Sequence, residues 1–213
     1  MSPRDPIGDD APRTQFDFTT ISARERYKLM IGAIIPRPIA LVTTIDETGR
    51  HNAAPFSFFN CLSADPPILA IGVENNPDMS FKDTAQNIRM TEVFTVNIVS
   101  FAMAEAMHVC GAKYPRGEDE LKAAGLTAAP GVKVASPWIR QAPAAFECRR
   151  HVTLELGKSR QIILGEILYA HFRDGLVDDK LHVDPAGVDA IARLGGDTCA
   201  TIRDRFDMLT PKF

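Results

Sequence analysis

Two stretches carry residue types able to hold a small ligand. In "VTTIDETGRHNAAPFSFFN" (42–60), Thr43, Thr44, Asn52, Ser57 and Asn60 set short donors and acceptors among phenylalanines. A flat heteroaromatic ring, with carbonyls and nitrogens at its edge and apolar faces, would use that mixture. In "MSFKDTAQNIRM" (79–90), Lys82 and the Thr84 hydroxyl fall in the first turn of an expected helix. Free backbone N–H groups and the positive dipole end there outline a phosphate site. Each stretch also has a plainer reading: threonines suit strands, Asn60 suits a turn, and Ser80 with Asp83 makes a capping box at an ordinary helix start.

Other chemistries find little support. Cys61, Cys110, Cys148 and Cys199 lie far apart, with no C-x-x-C pair and no His at zinc spacing, so reduced, buried thiols are expected. Cys148 beside Glu147 reads as structural, since a buried thiol next to a carboxylate is raised in pKa rather than activated. The five histidines share no motif. No G-x-G-x-x-G, G-x-x-x-x-G-K-[ST] or G-x-S-x-G occurs, which removes the usual signs of a Rossmann domain, a P-loop or a hydrolase elbow.

The elements that must position these residues are mostly strands. "PIALVTTI" is apolar on both parities, as in a strand covered on both sides. "HNAAPFSFFNCLS" alternates, and Pro55 in it implies an edge or a bulge. "PPILAIGVE", "EVFTVNIVS", "ECRRHVTLEL" and "QIILGEILYAHFRD" follow as strands. Helices are expected from Ser80 to Met90, with Phe81, Ala85 and Ile88 as its stripe, at "SFAMAEAMHVCGAKY" with Met103 and Met107 at core spacing, and at "DPAGVDAIARL", ended by Gly195 and Gly196. Residues 1–25, rich in Pro, Asp and Arg, read as an arm that is mobile or laid over a partner, and 26–213 as a single domain. Residues 115–145 form a long Pro-, Gly- and Ala-rich excursion with a short helix at "DELKAAG", of a length that often covers a site or a partner. With no β-helix-β-helix alternation and six or seven strong strands, a mainly β, antiparallel barrel with peripheral helices fits best.

With 45% hydrophobic residues in 213, a real core is available. Charged residues make up 24% and nearly cancel to a net −3, which argues against a nucleic-acid surface and for a small-molecule or protein partner. The longest apolar runs fall well short of the roughly 18 residues of a membrane span, and the opening "MSPRDPIGDDAPR" has no apolar h-region. The expectation is a soluble cytoplasmic protein.

The series "RPIALVTT", "N-x-APFSFFN", "S-x-DPP", "KDT-x-x-NI", "F-x-VN", "AGL", "EC" and "RLGG" runs in order from about Tyr27 to Phe213. In that order the chain resembles the flavin reductase-like family of FMN-binding split-barrel proteins, which includes flavoredoxin and the reductase components of two-component monooxygenases. The resemblance implies a six-stranded antiparallel Greek-key split β-barrel and a homodimer with FMN at the subunit interface. The FMN site it implies falls on Arg37, Thr43, Thr44, Asn52, Ala54, Ser57, Phe58, Phe59, Asn60, Lys82, Asp83 and Thr84. Arg37 and Lys82 would neutralise the phosphate, with Ser57 and Thr84 as hydroxyl donors. Thr43, Thr44, Asn52 and the backbone near Ala54 would address the ring edge, and Phe58 or Phe59 would give apolar cover. Arg193 would meet cofactor or nicotinamide, or form a helix-end salt bridge. Where many relatives carry a Tyr after "RLGG", this chain has Cys199.

The implied activity is hydride transfer from NADH or NADPH to FMN, the reduced flavin then either leaving for a partner oxygenase or passing electrons onward while bound, with no protein acid or base required. Two alternatives of other classes are a flavoredoxin-like electron carrier that keeps its FMN, and a non-catalytic flavin-binding module.

Overall fold

The computed structural model describes residues 12–115, 117–209 and 211; the first eleven residues of the expected arm lie outside them. The helix α1 (Ala23–Ala33) crosses the boundary expected near residue 25, opened by a Ser22–Glu25 capping box. A two-residue β1 (Arg37–Pro38) leads into β2 (Ala40–Ile45), and β3 (His51–Phe56) returns antiparallel to it. The Asp46 carboxylate closes that turn by accepting from the Thr48 and Arg50 amides, at 2.8 and 3.0 Å. Next come β4 (Phe59–Ala64), β5 (Pro67–Glu74), α2 (Asp83–Thr91) and β6 (Val93–Ile98). After α3 (Ala104–Cys110), the excursion supplies α4 (Glu120–Ala123), β7 (Ala128–Ala129) and β8 (Trp138–Ile139). A long hairpin of β9 (Ala144–Leu156) and β10 (Arg160–Phe172) precedes α5 (Pro185–Val188), β11 (Ile191–Arg193) and β12 (Cys199–Thr201).

The main sheet has the order β3-β2-β6-β9-β10-β5-β4, all antiparallel. Its two edges, β3 and β4, are joined only by Ser57 and Phe58. Two residues span about 7 Å at most, so the sheet must curl until its edges meet. The Gly72 amide of β5 donates to the Phe58 carbonyl at 2.7 Å, which carries the β4–β5 ladder one residue past Phe59 into that junction. The run "HNAAPFSFFNCLS" is thus one bent strand serving both edges, and counting it once gives six strands. Pro55 sits on the β3 edge, where no ladder N–H is demanded of it. The chain is a mainly β split barrel.

The period of two sorts the residues into two cores. Ala40, Val42, Leu69, Ile71, Val73, Phe94, Val96 and Ile163 point into the barrel, with Ala85 and Ile88 of α2 packed among them. Position 165 must be glycine because a Cβ there would stand 2.4 Å from Phe94 Cζ. The opposite parity, Ile39, Leu41 and Ala53, lies under Met103, Met107, Leu121 and Ile139, so β2 is covered on both faces by its own chain. Three buried polar groups fasten that outer layer. Thr43 Oγ1 donates to the Pro137 carbonyl (2.5 Å), Thr95 Oγ1 meets Ser136 Oγ (2.7 Å), and Asn97 Oδ1 accepts from the Ile139 amide (2.8 Å). The excursion 115–145 therefore roofs the outer face of β2, β3 and β6.

Three expectations are corrected. The closing helix is one turn, α5, stopped by Asp189 in the left-handed region (φ 44°), and Ile191–Arg193 is a strand paired with β1 and β12. Gly195 and Gly196 are hairpin turn residues rather than helix caps, and Gly196 has φ 60°. The Ser80–Asp83 capping box does not form: Ser80 bonds Asp78 and Asn76, the helix begins at Asp83, and Phe81 stands outside it beneath the Arg89 guanidinium. The third concerns the thiols: Cys110 and Cys148 are buried, but Cys61 and Cys199 are exposed. Burial pushes the Cys110 thiol up to about 12 and the Cys148 thiol further still, so both are inert. Among the described residues no helix is long and apolar enough to cross a membrane.

Candidate functional site

The two stretches singled out in the sequence meet at one end of the barrel. Thr44 and Asn52 face each other across β2 and β3 on the inward parity, and α2 closes over them. Asn87 Nδ2 donates to Thr44 Oγ1 at 3.0 Å. Turning the Asn52 amide to suit its neighbours satisfies both its ends: Oδ1 accepts from the Thr44 (3.2 Å) and Thr84 (3.1 Å) hydroxyls, and Nδ2 donates to Glu120 Oε1 at 3.3 Å. Glu120 also accepts from the Ala53 amide at 2.9 Å. Burial raises its pKa, opposed by that amide bond and reinforced by Asp83 and Asp119. The cluster is fully connected and fixes β2, β3, α2 and α4 to one another.

On its outer side Asn52, Asp83 and Asn87 join Asp46, Arg50 and His51 around a cavity of about 10 Å³, room for about one water. The opening is too small to admit a fused three-ring group into the barrel end.

The start of α2 is the more open feature. Its N-cap is Lys82, which makes no side-chain cap bond, the bond that commonly satisfies a first-turn N–H. Lys82 is exposed and forms no ion pair among the described residues. Thr84, by contrast, is buried and its hydroxyl belongs to Asn52. Asp83 is half-buried at the cavity rim.

At the barrel seam, Ala54, Ser57, Phe58 and Phe59 are half-buried and Asn60 is exposed. Phe59 leans on the barrel core. Phe58 turns to the outside, stacked on Tyr27 of α1 (centroids 6.3 Å apart) with the Arg160 guanidinium 4.8 Å over its ring. Asn60 lies in strand β4, paired with Ala70, rather than in a turn, and its Oδ1 accepts from the Cys61 amide at 2.9 Å.

The remaining expected site residues are engaged elsewhere. Thr43 and Thr44 point to opposite faces of β2, so both side chains cannot address one ring; Thr43 is fully buried under Pro137. Arg37 is buried, and its guanidinium donates to the Ile31, Ile34 and Leu194 carbonyls at 2.5, 2.8 and 2.7 Å, clamping the end of α1 onto β11. Arg193, directly opposite Arg37 across the β1–β11 pair, donates to the Gly196 carbonyl and Asp197. Sequence reasoning missed Asn87, although it stands three residues after Thr84 and so on the same helix face. Glu120 and Tyr27 gave no local signal.

A model of the flavin reductase like domain matches residues 31–190. An uncharacterised protein of Deinococcus radiodurans is 42% identical over 202 residues, 92% of this chain and 88% of its own. Among solved structures, nitrilotriacetate monooxygenase component B from Bacillus cereus superposes with TM-score 0.89 at 27% identity, over 93% of this chain and 100% of that one. The 2-nitrobenzoate 2-nitroreductase of Pseudomonas fluorescens superposes with TM-score 0.85 at 36% identity, over 94% and 98%. Barrel, motif series and relatives agree: the chain belongs to the flavin reductase-like family of split-barrel flavoproteins.

Proposed function

We propose that the protein is an NAD(P)H:FMN oxidoreductase that holds FMN over the barrel end and passes reduced flavin, or its electrons, to a partner such as an oxygenase. The observation that carries this reading is the start of α2, a helix of nine residues with no side-chain bond at its N-cap Lys82, which forms no ion pair among the described residues. A helix start with no N-cap side-chain bond, its positive dipole end and Lys82 together suit a dianionic phosphate. FMN, when bound, supplies the hydride-accepting ring, so the chain itself needs no acid or base.

The chain's residues then divide into contact and support. Lys82 and the first-turn amides take the phosphate; Ala54 and the seam residues Ser57, Phe58, Phe59 and Asn60 offer the mixed polar and apolar surface on which a ring can rest. Thr44, Asn52, Thr84 and Asn87 hold α2 at a fixed distance from β2 and β3, so the phosphate and ring positions are set relative to each other. Arg37 and Thr43 act as positioning residues through α1 and through the roof over β2.

A second subunit is part of the proposal. A run apolar on both parities, such as "PILAIGV" in β5, calls for cover beyond the barrel interior, yet on its outward parity Ala70 and Gly72 are small and only half-buried. Support comes instead from α1, which has no buried residue yet presents Tyr27, Met30 and, just beyond it, Ile34 to solvent beside Phe58. Such a surface next to the seam fits a homodimer that completes the site at its interface. The test is anaerobic addition of NADH, then NADPH, to the FMN-loaded protein, followed by aerobic turnover with excess FMN. Reduction with turnover supports a reductase; bound FMN that neither nucleotide reduces would make the protein an electron carrier.

A further inference from the structure

A second cavity, of about 320 Å³, opens between β8 and the end of β10 and shares no residue with the barrel-end cluster. Its walls are rings. Trp138 stacks on His171 with centroids 4.4 Å apart and planes 15° from parallel, and Tyr169 meets His171 edge-on at 5.1 Å. Behind His171 lies Glu147, fully buried, accepting from the Val132, Lys133 and Val134 amides and from His171 Nε2 at 2.7 Å. Burial raises the Glu147 pKa, but those four donors outweigh it and hold the carboxyl below its ordinary range. An ionised carboxylate only accepts, so His171 uses Nε2 as its donor and the imidazole plane is locked against Trp138.

The cavity's charge is one-sided. Arg140 stands 5.9 Å from the Trp138 ring, and Arg173 donates to the Gln141 carbonyl at 3.2 Å. Neither forms an ion pair among the described residues, and no carboxylate lines the opening. An inorganic anion would leave the ring walls unused; a neutral aromatic would leave the two guanidinium groups unused.

We propose that this cavity binds a small planar aromatic anion, an aromatic carboxylate being the simplest, with its ring against the Trp138–His171 stack and its charge at Arg140 and Arg173. The volume lies at the lower end for small-molecule sites, and a carboxylate suits the guanidinium fork. The site has a route to the barrel: Pro137, next to Trp138, is held by Thr43 of β2, and Ile139 by Asn97 of β6. The proposal does not rest on the flavin reading, and its test needs no flavin.

Trp138 is the only tryptophan in the chain, so its emission reports on this wall alone. The flavin-free protein is titrated with benzoate, benzamide and inorganic phosphate at constant ionic strength, with calorimetry in parallel. The expected result is saturable quenching by benzoate with a Kd of roughly 1 mM or tighter, and at least about tenfold weaker binding of benzamide and phosphate. R140Q with R173Q, both at exposed positions, should keep the circular dichroism spectrum and weaken benzoate about tenfold or more. No saturable binding by either method, equal binding of benzamide, or benzoate affinity unchanged in the double variant each overturns the proposal.

Discussion

Replacing Lys82 by alanine should weaken FMN while leaving riboflavin almost untouched. Lys82 is exposed, caps α2 without a side-chain bond and has no acidic partner among the described residues. Its removal therefore costs the fold within about 0.5 kcal/mol, as for surface substitutions generally. A charge-assisted hydrogen bond to a phosphate contributes about 1.5–3 kcal/mol, so the FMN Kd should rise by about tenfold to 150-fold. The wild-type affinity for FMN should also fall with added salt more steeply than in Lys82→Ala, because the exposed charge is screened. Isothermal titration of both proteins with FMN and riboflavin reads the difference. Equal losses for the two ligands, or none for FMN, would refute the assignment of the phosphate to the start of α2.

Asn52→Ala removes the group that links Thr44, Thr84 and Glu120; leaving those buried partners unsatisfied should cost about 1–3 kcal/mol in a denaturant titration. Glu120 has a folded-state pKa raised above its ordinary value of 4.5, so the native state holds its proton longer than the unfolded chain does. Its contribution to stability therefore falls as pH rises from that value through the folded pKa. In Glu120→Gln this fall should be absent, seen as a difference between the two proteins' stability–pH curves. Gly165→Ala places a methyl against Phe94 and should lower stability by about 1–3 kcal/mol through overpacking. Met30→Glu, on the exposed face of α1, should leave a folded monomer by light scattering if α1 lies at a subunit interface; an unchanged dimer would move the interface elsewhere.

What the sequence made legible were features set by neighbouring residues. The strands, the barrel class and the core roles of Met103 and Met107 follow from period and composition; that 43–60 and 82–84 share one site was implied only by the family resemblance. The failures trace to partners distant in the chain. "VDAIARL" has helical composition, but Asp189 turns left-handed and Ile191–Arg193 finds β1, more than 150 residues away. Arg37 reads as a free cation until the Leu194 carbonyl, 157 residues on, accepts from it. Thr43 and Thr44 were separable by the strand period alone, since one must face the roof and the other the barrel. The capping signal at Ser22 and Glu25 was also present, and it marks the start of α1. Glu147 and His171, 24 residues apart, meet only because β9 and β10 pair.

The central claim is that this barrel holds FMN and reduces it with a nicotinamide nucleotide. The most direct measurement is the visible spectrum of the FMN-loaded, gel-filtered protein before and after anaerobic NADH or NADPH. The account predicts flavin absorbance that travels with the protein and bleaches on addition of at least one nucleotide. Protein that emerges without flavin after loading at micromolar concentrations, or flavin that stays oxidised with both nucleotides, would contradict it.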